Sequence, residues 1–500
     1  MKKIILFSVI LFLGTVSSNA QQFEWAKKLE NNYFSNQANT PDFYLPPGGR
    51  FLAAGTTVIA QTGIFNLNIT FGNQTFVSAD TLDAYLAAHD LAGNLLWAKQ
   101  VAGNTPAQPS LVVDHDDNIY ISGSFTDSLY IDGLLFRTST AGKSAIYLIK
   151  YDATGNQLWA KSSDLINGNS YDTETDIAMD GAGNIFVAGS FANTLTLDGT
   201  TVSANPLNSL FIAKYSANGA LQWLRAPTTG AFSVNIEPDA FGNIYILKTR
   251  INPTFTYTHI LEKIDVYGNV AWSKFFRQFS YLSNNLSLDD AGNPLLSGYY
   301  SGSLAFDSDT ISATGMACFL AKADAAGNWL WARNIAENVA TGYGVNYLYT
   351  APQITYSPIS QITVAGVFQG AAQFPGFGSV TNINTNGTFI TQLDNSGNLN
   401  WINTILNDSA WHNWSSPAGI ATDPQGNLYL SGGFVGKAYL DTILLTKVTS
   451  EATFLTKITV ANQLSVKENR SLVQPFQLYP NPAQNYVMVA AELKKPTAAT

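Results

Sequence analysis

The stretch Asp180 to Phe191 reads DGAGNIFVAGSF, and Asp423 to Phe434 repeats it as DPQGNLYLSGGF. Each is an Asp-x-x-Gly-Asn segment followed by an aliphatic and aromatic run. Asp bonds its own turn backbone, while Gly and Asn accept positive φ where two antiparallel strands are joined. The run that follows is short and shows no helical period. A looser copy lies at Asp114 to Phe125. Working outward, a tryptophan segment separates the copies, with anchors at Trp25, Trp97, Trp159, Trp223, Trp272, Trp331 and Trp401. Its recurrence at roughly sixty-residue intervals marks a repeat architecture. Two further segments complete a unit: an Asp-Gly turn, as in Leu197-Asp198-Gly199 and Ile131-Asp132-Gly133, and a run such as Ile146 to Tyr151 that enters another Gly-Asn turn.

Four short apolar segments per unit, apolar on both faces, predict sheets packed between neighbouring sheets. Seven units of four strands predict an all-β, seven-bladed β-propeller of four-stranded antiparallel blades. The glycine-bearing segment (Gly123, Gly189, Gly298, Gly366, Gly432) is expected innermost, where strands crowd. The tryptophan segment is expected outermost, filling a wedge. The last unit supplies only three strands, around Leu428 to Phe434, Ala438 to Leu445 and Phe454 to Val460, so Phe23 to Leu29 is expected to close the ring.

These residues resemble the SBBP β-propeller repeat family, whose pattern runs Asp-x-x-Gly-Asn-x-Tyr-x-x-Gly-x-Phe, then an Asp-Gly turn, Lys-x-Asp and Gly-Asn-x-x-Trp. The resemblance covers roughly residues 23 to 458. Two copies depart from it. The fourth reads Asn243 to Lys248 without its glycine and has the shortest tryptophan interval, and the sixth lacks Gly-Asn before Gln361.

The ends carry different signals. Lys2 and Lys3, the apolar run Ile4 to Val16 and the small residues Ser18 and Ala20 read as a secretory signal peptide over residues 1–20. Residues 21–460 are the propeller and 461–474 a polar linker. The segment 475–500 opens with Phe476 to Ala483, containing Tyr479-Pro480-Asn481-Pro482, ahead of an alternating strand. It resembles the start of the C-terminal sorting domain of type IX secretion substrates and ends at Thr500 without the later strands of such domains. The resemblance implies export to the surface or surroundings of a Gram-negative bacterium.

The chain of 500 residues has 46% hydrophobic and only 12% charged residues, with a net charge of −9 and no basic cluster. That balance excludes a nucleic-acid groove and an anionic-membrane surface. The expectation is a monomer, with no membrane insertion and no nucleic acid. The four histidines fall at no metal-ligand spacing, and the lone Cys318 lies in an apolar run, so no metal, cofactor or catalytic residue is assigned. Asp114-x-Asp116-Asp117-Asn118 resembles the start of a calcium loop but occupies the slot of the repeated turn. The aspartates Asp180, Asp239, Asp289 and Asp423 recur wherever the turn recurs, which assigns them to the turn.

Asymmetry lies in two long insertions. One carries Tyr343, Tyr347, Tyr349 and Tyr356, the other Trp411, His412 and Trp414. Aromatic side chains there suit stacking on sugar rings or gripping a peptide. The expected function is a binding or interaction module at the cell surface, with an extracellular glycan or protein as partner. The alternative is a polysaccharide-active hydrolase or lyase with its site at the axial mouth. The triplets beginning at Asp80, Asp127, Asp309, Asp408 and Asp441 resemble acceptors of bacterial O-glycosylation.

Overall fold

The computed structural model describes residues 22–32, 51–78, 82–103, 109–126, 128–138, 143–164, 175–204, 209–229, 233–251, 257–278, 284–339, 351–408, 413–459, 477–479 and 488–490. Every regular element among them is a strand. The chain divides into two compact units, Met1–Val460 and Ala461–Thr500. In the smaller one, Gln477–Tyr479 pairs antiparallel with Met488–Ala490, setting Tyr479 opposite Met488.

The larger unit is built from one motif. Its second copy consists of Ser110–Val113, Ile119–Thr126, Ser144–Tyr151 and Gln157–Ser162, hydrogen-bonded antiparallel in that order. Among the described residues seven such four-stranded groups recur. Their first strands are Leu52–Ala54, Ser110–Val113, Thr175–Met179, Ser233–Pro238, Asn284–Leu288, Gln353–Tyr356 and Trp414–Thr422. The outermost strand of the seventh group is the N-terminal Gln22–Asn32, where Phe23 pairs with Ile458 and Leu29 with Thr453.

The Asp-x-x-Gly-Asn turn shows why it recurs. The Asp180 amide donates to the Asn184 carbonyl at 3.0 Å. Its Oδ1 accepts from the amides of Ala182 and Asn184 at 3.0 and 2.8 Å, and its Oδ2 accepts from Asn184 Nδ2 at 2.8 Å. Gly183 sits at φ +79°, a conformation that costs glycine nothing. The same bonds recur at Asp239, Asp289 and Asp423 after first strands, and at Asp152, Asp265, Asp324 and Asp394 after third strands. Third-strand lysines then neutralise several of these carboxylates, with Lys322 at 2.7 Å from Asp289 and Lys263 at 3.5 Å from Asp239. The aspartates are turn formers, as their recurrence implied.

Two strand assignments are corrected. The glycine-bearing strand is second in its group, because a short strand precedes the turn and lies inside it. Its glycine makes room for a third-strand ring. A Cβ at Gly123 would lie 2.7 Å from Tyr147 Cζ, and one at Gly366 only 2.5 Å from Phe389 Cζ. Gly366→Ala is therefore expected to destabilise by about 2 kcal/mol through overpacking, read as a lower urea midpoint. An unchanged midpoint would remove this account of the glycine.

The Asp-Gly segment is likewise not a group member. Asp132 and Gly133, at φ +52° and +78°, close a hairpin of Ser128–Ile131 and Leu134–Thr138. That hairpin pairs with the preceding group's outer strand, Tyr130 opposite Ala102. The first hairpin, from Asn68–Phe71 and Gln74–Val77, pairs with the N-terminal strand, Glu30 opposite Thr70. In the fourth group only residues 252–256 separate Ile244–Ile251 from Tyr257–Ile264, too few for a hairpin, which accounts for the short tryptophan interval.

The core is a series of interfaces between consecutive groups. Ile121, Tyr147 and Tyr151 of the second group pack on Ala60, Leu86 and Val101 of the first, and comparable clusters join each later pair. Leu52 and Ile59 of the first group cluster with Ala421, Tyr429 and Leu455 of the seventh. The tryptophans lie at these joints. Trp97 Nε1 donates to the Ala153 carbonyl of the next group at 2.9 Å, and a Cβ at Gly155 would stand 2.8 Å from its ring. Trp25 meets Gly93 in the same way. Cys318 is fully buried on a third strand, and burial holds its thiol well above the usual range.

Candidate functional site

The first strands of all seven groups border one cavity of about 520 Å³. The residue four before the turn in each group forms a belt: Phe51, Ser110, Asp176, Asn235, Asn285, Gln353 and Gly419. These side chains knit first strands that are not paired with one another. Ser110 Oγ donates to Asp176 Oδ1 at 2.8 Å, and the Ile236 amide donates to Asp176 Oδ2 at 2.9 Å. Asn285 Nδ2 reaches Gln353 Oε1 at 3.3 Å. A fully buried carboxylate thus receives donors from the groups on either side, which supplies the hydrogen bonding its burial requires.

The walls of the cavity differ. Groups one, two, three and seven contribute Leu52, Ala53, Val112, Val113, Met179, Ile420 and Ala421. Groups four to six contribute Glu237, Ser287, Asp290, Thr355 and Tyr356 beside apolar Pro238, Leu286, Leu288 and Ile354. Asp290 accepts from Ser360 Oγ at 2.9 Å and from Tyr356 Oη at 3.3 Å, and Asn395 Nδ2 reaches Tyr356 Oη at 3.4 Å. Burial, with the charges of Asp290 and Asp289 added, holds the Tyr356 hydroxyl above the usual phenol range. The hydroxyl is thus a donor at neutral pH. No lysine, arginine or histidine lines the cavity among the described residues. One half-wall offers apolar contact and the other accepts hydrogen bonds, an arrangement that suits a neutral, hydroxyl-rich or cationic molecule.

Of the sequence-assigned binding residues, Trp414 begins the first strand of the seventh group, half-buried, opposite Val435 and bridged to Asn386. Trp411, His412, Tyr343, Tyr347 and Tyr349 lie outside the described residues, as do Pro480, Asn481 and Pro482 of the sorting segment. The calcium-like segment is divided among other tasks. Asp117, at φ +62° in the glycine slot of its turn, accepts from the Thr56 and Thr57 amides at 2.6 and 2.9 Å. Asp114 accepts from Asn118 Nδ2 at 2.8 Å and Tyr120 Oη at 3.1 Å. Among the described residues no three acidic, histidine or cysteine side chains are gathered to hold a metal ion.

The belt and the polar half-wall escaped the sequence reading because the first strands were not recognised as such. Their signal was present: the residue four before the turn takes six identities in seven copies, while most of the turns keep Asp-x-x-Gly-Asn.

No family model matches the chain. A curated relative, an uncharacterised WD repeat-containing protein of Acanthamoeba polyphaga mimivirus, is 23% identical over 155 residues, 29% of this chain and 11% of that protein's length. With the repeated four-stranded groups, this decides the fold. It is a repeat β-propeller. Among solved structures, hydrazine synthase of Kuenenia stuttgartiensis aligns over 84% of this chain and 99% of its own at 11% identity and a TM-score of 0.44. A polysaccharide lyase of family 25, an ulvan lyase, aligns over 82% and 92% at 9% identity and 0.43. A protein of unknown function from Dyadobacter fermentans covers 70% and 94% at 11% and 0.38.

Proposed function

We propose that the chain is an exported, monomeric, closed seven-bladed propeller of the SBBP type that binds an extracellular ligand in its axial cavity. The seven groups are its blades, and pairing of Phe23 to Leu29 with Thr453 to Ile458 supports closure by the N-terminal strand. The leader ahead of Gln21 supports entry to the secretory route, and the Tyr479 to Pro482 segment supports sorting by a type IX-like machinery to the surface of a Gram-negative cell.

One observation carries the binding reading. The propeller repeats its turns, glycines and tryptophans in most copies, yet among its axial lining residues Glu237, Ser287, Asp290, Thr355 and Tyr356 stand together on blades four to six, without counterparts on the other blades. Residues that serve the fold recur with the fold, so a set present once serves something else. With acidic groups and no cation in the wall, the ligand is neutral or cationic rather than a polyanion. The test is a glycan array on the purified propeller beside a Glu237→Ala/Asp290→Ala variant. Neutral or amino sugars are expected to bind and the variant to lose them. Binding of sulfated or uronic glycans alone, or equal binding by the variant, would refute the reading.

A further inference from the structure

The fourth blade carries a second departure from the repeat. At the third position of the Asp-x-x-Gly-Asn turns stand small or polar residues such as Ala92, Thr154, Ala182, Asn218, Ala291, Ala326 and Ser396, with Ile359 at the corresponding place in blade six. Only blade four places aromatic rings there, and it does so in both of its turns. They are Phe241, 82% exposed, and Tyr267, 71% exposed. Neither ring is needed by the turn, which alanine forms equally well elsewhere. Each is nevertheless held firmly at its base, because the Phe241 amide donates to Asp239 Oδ1 at 3.0 Å and the Tyr267 amide to Asp265 Oδ1 at 2.9 Å.

The two turns join the first to the second strand and the third to the fourth, so their centres lie two strand spacings, about 10 Å, apart. They lie close together, since a Cβ added at Gly242 would stand 3.8 Å from Val266 Cγ1. Pro238, Asp239 and Ala240, which lead directly into Phe241, line the axial cavity. The rings therefore mark a line running from the cavity outward along one blade. Arg225 of the third blade packs beneath Gly268 at the outer end of that line.

From this we infer that Phe241 and Tyr267 are stacking platforms for a neutral β-linked polysaccharide that extends radially from the cavity across the fourth blade. Flat exposed rings pair with the apolar face of a pyranose. In an extended β-linked chain alternate sugars present the same face, at a repeat comparable with the separation of the two turns that carry the rings. An extended peptide fits less well. Its same-face side chains recur at about 7 and 13 Å, and those three residues apart point to opposite sides. The acidic half-wall selects against polyanions here as in the cavity. This inference rests on the axial binding reading for the inner end of the chain, and the experiment separates the two.

Affinity electrophoresis of the full chain in hydroxyethylcellulose and in glucomannan tests the platforms, with cellotriose and mannotriose titrations reporting on the cavity alone. Phe241→Ala and Tyr267→Ala are each expected to weaken polymer retardation about tenfold. Phe241→Trp should keep it, and trisaccharide binding should be the same in all three variants. A double Ala variant retarded like the parent would overturn the platforms, as would a parent retarded by neither polymer. In both cases trisaccharide binding still decides the cavity. Retardation that survives Glu237→Ala/Asp290→Ala but not the ring variants would keep the platforms and remove the cavity reading. A parent that dimerises in light scattering, while its double Ala variant does not, would reassign the rings to self-association.

Discussion

A chain beginning at Asn31 rather than Gln21 is expected to melt at least about 10 °C lower and to aggregate on heating. The lost segment forms the outer strand of the seventh blade, pairing from Gln22 with Thr459 to Leu29 with Thr453. It buries Phe23 and Leu29, and Trp25 packs with Tyr429 at a ring-centroid distance of 6.3 Å. Burying the three side chains accounts for roughly 5 kcal/mol, before any strand hydrogen bonds are counted. The loss is not local. Glu30 also pairs with Thr70 of the first hairpin, so truncation opens the edge at Thr453 to Thr459 and weakens the tie to that hairpin. An exposed edge in an aromatic-rich sheet protein promotes edge-to-edge association. Differential scanning calorimetry of the two chains decides the matter, and a shift within about 2 °C would show that the fold does not depend on this strand.

That prediction could be framed from sequence because the repeat betrays itself when a part is missing. Trp25 precedes any complete unit, and the last unit lacks a tryptophan segment, so the ends had to complement each other. The turns were legible for the same reason, since Asp, Gly and Asn hold their positions by backbone bonding that any copy must make. Inner strands were harder. Leu111 to Val113, Ile236 to Pro238 and Leu286 to Leu288 share only a leading Leu or Ile, too little to mark a strand of three to six residues. The Asp-Gly hairpin misled in the opposite sense. It recurs and has a strand pattern, but its partner is the preceding blade, a relation that no within-unit reading can expose. Blade four illustrates how departures are absorbed. Lys248 occupies the glycine slot and pairs with Glu262 at 2.8 Å, both buried, so the missing glycine brings its own counter-charge. The aromatic platforms were visible as letters in the turns Asp239 to Asn243 and Asp265 to Asn269. Their meaning required knowing that both turns belong to one blade and open beside the cavity.

Mild acid should weaken the fold well before its carboxylates titrate. His89 and His259 are each 1% exposed, and burial lowers both from 6.5 to about 4. His259 stacks on Phe276 at 5.5 Å with Nδ1 bonded to Thr249 Oγ1 at 3.0 Å, while His89 lies opposite Ile59, part of the cluster joining the first blade to the seventh. Both are neutral in the fold and take up protons when released. For a group whose folded pKa is depressed, stability is complete above the unfolded value, near 6.5, and is lost as pH falls toward the folded value, near 4. At pH 5 each histidine accounts for about 2 kcal/mol, so the pair together withdraws about 4 kcal/mol between pH 7.5 and 5. Aspartates with lowered pKa, such as Asp152 at about 2, add their losses only further down, which keeps the two processes apart. Urea unfolding at pH 7.5, 6 and 5 measures the slope directly. His89→Leu and His259→Phe should each remove about half of it without a large change at pH 7.5, because an apolar side chain of similar size suits either site. A parent protein equally stable at pH 7.5 and 5 would mean that one or both imidazoles meet water or a proton acceptor, and that the joint between the first and seventh blades is looser than its packing indicates.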